Sequence, residues 1–225
     1  MKFTKKKVFV LALAACLIAV ASLGTLAWFS DSDSVTNNFY VADSDDDTAD
    51  EIFSVDVWEN TPDGDEDQDG FEYDDILPGD VLEKEPHVQN TGYYAQYVRV
   101  IVTISDAQAW INALGSNFDA SQLFVGFDAT MWDADHIWNN LVEAEDITAV
   151  EEIIFVLYYN DVLESGDDFT VFTDVKIPES LTQEQAAAFG VDGFSINVKA
   201  QAVQTENVGD SAFEAFQTVG MTIAQ

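Results

Sequence analysis

The chain has 225 residues, 42 acidic against 8 basic, and a formal net charge of −34. Such a surplus of carboxylates excludes nucleic acid as a partner, because counterion release needs Lys and Arg against phosphate. With 48% hydrophobic and 12% aromatic residues the chain can still bury a full core, as one large domain or two small ones.

Residues 1–27 show the three parts of an export signal in order. A basic tip (Lys2, Lys5, Lys6, Lys7) precedes an apolar run from Val8 to Leu26, and small residues lead to a cut between Ala27 and Trp28. The apolar run also suits a bilayer-spanning helix of roughly 20 residues, so a retained anchor is the competing reading. Leu13-Ala14-Ala15-Cys16 has the form of a lipobox, but the chain stays apolar through Phe29, where a lipoprotein turns polar at once. Cleavage by a signal peptidase would leave a secreted chain of formal charge −38 with no stable membrane anchor. Cys16, the only cysteine, leaves with the signal, so no disulfide can form and stability must come from core burial.

The segment 28–41 is extended in character, with Val35, Phe39 and Val41 on one face. It reads either as the first strand of its own domain or as a strand added to the open sheet edge of a neighbouring copy. Residues 43–51 and 59–75 are acidic, low-complexity inserts read as solvated loops. They flank a short strand from Ile52 to Trp58, in which Phe53, Val55 and Val57 share a face.

The second insert holds a candidate Ca²⁺ loop. Asp65, Asp67 and Asp69 fall at positions 1, 3 and 5 of an EF-hand-like pattern, with Gly70 at the sharp turn and the Phe71 carbonyl at position 7. Oxygen-only ligands of this kind suit a hard cation. The Glu expected at position 12 is Ile76 here, so Asp74 or Asp75 would have to substitute.

Period-2 alternation then predicts strands over 97–104, 123–127, 153–159, 169–177 and 195–205. Turn signals separate them at Pro78-Gly79-Asp80, Asn90-Thr91-Gly92, Ser165-Gly166-Asp167 and Asp192-Gly193. Helical patterns cover 105–114, 182–189 and 210–216, and Thr182 and Gln185 are spaced as a capping box. Segment 128–150 reads as a loop or helix crossing one end. Many short strands without a βαβ rhythm predict an all-β, jelly-roll-like antiparallel sandwich over residues 42–225, built from two packed sheets with short helical insertions.

Zinc hydrolysis needs imidazole or thiolate ligands and a general base. The chain has two histidines, His87 and His136, and neither stands in a His-Glu-x-x-His pattern. His136 follows Asp133 and Asp135, which makes a weak metal site conceivable there. No nucleophile elbow, phosphate-binding loop or dinucleotide fingerprint is present in the sequence. These absences favour a non-enzymatic protein.

Four stretches carry a resemblance. They are the junction Leu23-Gly24-Thr25-Leu26-Ala27-Trp28-Phe29-Ser30-Asp31, and Leu77-Pro78-Gly79-Asp80-Val81 leading to Val88-Gln89-Asn90-Thr91-Gly92. The others are the block from Tyr158 to Asp167 continued by Phe172 and Val175-Lys176-Ile177-Pro178, and the closing strand from Val198 to Thr205. In these the chain resembles the TasA/camelysin family of exported biofilm-fibre proteins, whose signals are cut by a SipW-type peptidase. The resemblance implies a jelly-roll subunit that forms homopolymeric extracellular fibres by donating the strand freed at Trp28. A secreted metalloendopeptidase like camelysin, and a surface domain tethered by an uncleaved signal, are the alternatives it leaves open.

Overall fold

The computed structural model describes residues 30–35, 54–60, 66–67, 73, 76–116, 122–189 and 193–222. The export signal with its Ala27–Trp28 cut, the insert at 43–51 and most of that at 59–75 lie outside the described residues.

Twelve strands are described: β1 (Ser30–Val35), β2 (Val55–Asn60), β3 (Glu66–Asp67), β4 (Val81–Glu83), β5 (Pro86–Asn90), β6 (Gln96–Ile104), β7 (Phe124–Val125), β8 (Trp138–Asn139), β9 (Ile153–Tyr158), β10 (Asp168–Thr170), β11 (Asp174–Lys176) and β12 (Ile196–Gln204). Four short α-helices accompany them: α1 (Ala107–Leu114), α2 (Asn140–Glu143), α3 (Gln183–Ala187) and α4 (Ala212–Thr218).

The strands form three antiparallel sheets, in the orders β1-β12-β6-β9-β8, β10-β5-β2-β3 and β4-β11-β7. The sequence led us to expect two. The third arises because the run over 169–177 is not one strand: β10 pairs with β5, and β11 pairs with β4 and β7. Between them Val171 N donates to Pro86 O and Thr173 N to Val125 O, so the chain changes sheets while its backbone groups stay bonded.

The long central strands form where β-branched residues are densest. In β6, Val98, Val100, Val102 and Ile104 point into the main core, and β12 answers in register with Ala202, Ala200, Val198 and Ile196. That core also takes Val55, Val57 and Val88 from the second sheet, and Phe124 and Val175 from the third. Its largest fully buried side chains include Trp110 on α1, Trp132, Phe155 and Phe172.

The other face of the five-stranded sheet is also covered. Tyr97, Val156, Tyr158 and Val203 pack with Ala212, Ala215 and Phe216 of α4 as a second cluster. The helix starts cleanly, with Ser211 accepting from Glu214 N at its N-cap. The capping box foreseen at Thr182 is present: its hydroxyl accepts from Gln185 N, and the Gln185 side chain accepts from Thr182 N. The ambiguous segment 128–150 resolves into two single 3₁₀ turns, the two-residue β8 and α2. Asp128, Asn139 and Asp146 cap these short pieces with their side chains. Among the described residues no helix is long and apolar enough to cross a membrane.

Candidate functional site

The segment singled out as an assembly strand contributes β1, and β1 is the terminal strand of the five-stranded sheet. It pairs antiparallel with β12 along its whole length, from Ser30 opposite Val203 to Val35 opposite Val198. Of the three residues read as one apolar face, Val35 therefore stands in the ladder, and Phe39 and Val41 lie outside the described residues.

The sequence of β1 is Ser-Asp-Ser-Asp-Ser-Val, with one apolar residue in six. Ser and Asp are poor strand formers, so the pairing draws chiefly on the backbone ladder. β12 is the opposite case. Its Ile196, Val198, Ala200 and Ala202 are buried, and Ala200 and Ala202 keep the layer thin where the backbones of β1 and β12 both approach β2. Without β1, the outer backbone groups of β12 would form a long open edge.

A second constellation lies where the second and third sheets meet. Glu59 of β2 is fully buried, and Lys84, just after β4, reaches it with Nζ 2.5 Å from Oε1. The other carboxylate oxygen, Glu59 Oε2, is buried without a hydrogen-bond partner. Tyr73, about one third exposed, donates its hydroxyl to the Glu83 carbonyl. Burial, with help from the charges of Glu59, Glu83 and Asp174, pushes its phenol up to about 12. Glu59 was expected in a solvated acidic loop, and this is a correction. The period-2 alternation Val55, Val57 continues through it, which is the signal that places it on the inward face.

Asn90, at the end of β5, is the third. Its Nδ2 donates to the carbonyls of Tyr94 and Leu163, at 2.8 and 2.9 Å, and its Oδ1 accepts from Gly92 N and Gln96 Nε2. Its backbone N–H donates to Asp167 O, and its carbonyl accepts from Gly166 N in a turn where Gly166 holds φ at +83°. The loop so fixed carries Tyr93 and Tyr94, both about two thirds exposed.

His87 stands in β5 and His136 in the bend before β8, and both are engaged in packing. His87 stacks on Trp58 with ring centroids 4.1 Å apart, and Glu85 and Asp168 lie 3.7 and 3.6 Å from its nitrogens. His136 pairs with Asp133 at 2.7 Å and stacks on Phe213 at 3.7 Å. Among the described residues no group of three or more His, Cys, Asp or Glu is placed to hold a metal ion. Of the candidate Ca²⁺ ligands, Asp67 has its backbone in β3 opposite Glu59, and Asp65, Asp69, Phe71 and Asp75 lie outside the described residues. Compared with family models, curated proteins and solved structures, the chain matches none.

Proposed function

We propose that the chain is a secreted structural subunit that polymerises by exchanging its first strand between copies, so that β1 of one chain fills the β12 edge of the next. The observation that carries this reading is the position of β1: a terminal strand, bonded to one neighbour, followed by residues 36–54 before β2 begins. Exchange between chains recreates the same ladder, so little enthalpy separates the closed monomer from the open polymer. The resemblance to exported fibre proteins supports the same reading, and under it the three sheets are the walls of a jelly-roll-like sandwich.

The polarity of β1 fits this role. With one apolar residue in six, such a donor can leave one edge and fill another without exposing much apolar surface of its own. The strong negative charge opposes random association at neutral pH and is screened as salt rises.

Electron microscopy of the mature protein, beside a variant lacking residues 28–41, tests the proposal. Salt-promoted fibres are expected from the first and none from the second. Fibres of the same form from the shortened chain would overturn strand exchange.

A further inference from the structure

We infer that Glu59 and Lys84 are the partners of a spontaneous amide cross-link, a covalent tie between β2 and the end of β4 in a protein whose mature chain has no cysteine. The reacting groups are already in contact, at 2.5 Å, and their side chains are 0% and 7% exposed. Glu59 lies in β2 of the second sheet and Lys84 directly follows β4 of the third, so the bond would tie the two sheets together.

The surroundings make the ionic form of this pair costly. An ammonium has three protons to place and a carboxylate several lone pairs. Lys84 Nζ has Glu59 Oε1 as its hydrogen-bond acceptor, and Glu59 Oε2 is a buried orphan. Amide formation draws on the neutral form of the pair, an amine beside a carboxylic acid. Those are the species that react. The neutral amine is the nucleophile, and the protonated acid has lost the charge that repels it.

The step balances without a further reagent. Lys84 Nζ attacks Glu59 Cδ and a C–N bond forms. The carbon–oxygen bond to the former hydroxyl breaks, and that oxygen leaves as water after taking a proton from the attacking nitrogen. Nothing is oxidised or reduced, and the water departs to solvent. Tyr73, kept in its phenol form by the pressure on its titration, stands close enough to these carboxylates to feel their charge. Holding the groups in contact supplies an effective concentration on the order of 10⁵–10⁸ M, which offsets the tendency of water to hydrolyse an amide. The product also needs less solvation: one donor and one acceptor replace an ion pair.

The same bond would close a loop over residues 60–83, the base of the second acidic insert, as a disulfide would in a cysteine-bearing protein. It stands independently of strand exchange, since all of its parts lie in one chain.

Mass spectrometry of the purified mature chain decides the matter. The expected mass is lower than the sequence requires by about 18 Da, one water. No Lys or Arg lies between Lys7 and Lys84, so both partners fall in a single tryptic peptide, and a bonded Lys84 is not cleaved. Fragment ions should place the deficit between Glu59 and Lys84, with cleavage after Lys84 lost. Lys84→Arg, which keeps the charge but not the nucleophile, should restore the full mass. An unmodified wild-type mass with ordinary cleavage after Lys84 overturns the inference. So does a deficit that survives Lys84→Arg. Neither reading requires a destabilised variant, because the wild-type chain alone can refute it.

Discussion

Replacing Asn90 by alanine is expected to destabilise the protein by about 3 kcal/mol, since four buried hydrogen bonds are lost at roughly 0.5–1.5 kcal/mol each. The substitution removes four side-chain hydrogen bonds at a residue that is fully buried. It takes the side-chain donor from the Tyr94 carbonyl, and it reduces the Leu163 carbonyl to its bond from Gln96 N and Gly92 N to its bond to Ser54 O. Some of these groups will find water; Gln96 also donates to Ser54 O and is itself fully buried, so its freedom to rearrange is small. The effect is local in origin but not in reach, because Ser54 is where the chain enters β2, Leu163 is bridged to Gln96 at the start of β6, and Gly166 leads into β10. Chemical denaturation followed by tryptophan fluorescence measures it. Asn90→Asp retains the acceptor and should fall nearer the wild type at acidic pH than at neutral pH, where a buried carboxylate adds to the cost.

Phe216→Ala is expected to cost about 3–5 kcal/mol by cavity formation, and to change the surface as well as the stability. Phe216 is fully buried between α4 and the outer face of the five-stranded sheet. Above it the Arg99 guanidinium sits 4.4 Å from the ring centroid, donates to Gln201 Oε1 at 2.8 Å and to the Met221 carbonyl at 2.6 Å. Arg99 thus ties the helix to the sheet through the ring it covers. Truncating the ring should loosen α4 and expose Tyr97, Val156 and Val203. An increase in binding of a hydrophobic dye before the main unfolding transition is the expected signature. A variant that loses stability in a single step, with no rise in dye binding, would show that helix and sheet separate only on global unfolding.

Most of the strands were legible because their inward residues are aliphatic and alternate. β6, β9 and β12 follow the periodic runs, with ends that differ by a residue. β5 was harder to read, because its inward positions are Pro86, Val88 and Asn90. Proline and asparagine are strand-poor, and only the packing of one and the hydrogen bonds of the other place them inside. The break between β10 and β11 was invisible for a different reason. Phe169, Val171, Phe172 and Val175 are all buried, but a change of sheet at 171–173 is written in which backbone groups they meet, not in their hydrophobicity.

The sites divide the same way. The first strand was marked by its place after the expected cut, and its edge position follows from β12 being apolar and long. Its register was not legible, since Ser-Asp-Ser-Asp repeats with no unique apolar anchor before Val35. The Glu59–Lys84 pair was hidden because a Glu within an acidic stretch looks solvated, and its partner lies 25 positions away.

The central claim, that the β1 ladder is made between chains, can be tested by the register itself. Ser32 stands opposite Gln201, and the sequence holds no cysteine besides Cys16 of the expected signal. Assembled and then oxidised, the Ser32→Cys/Gln201→Cys protein should run on a denaturing gel as a ladder of covalently joined chains that collapses to monomer on reduction. A single band of internally bridged monomer from material that was fibrous before oxidation would contradict the account.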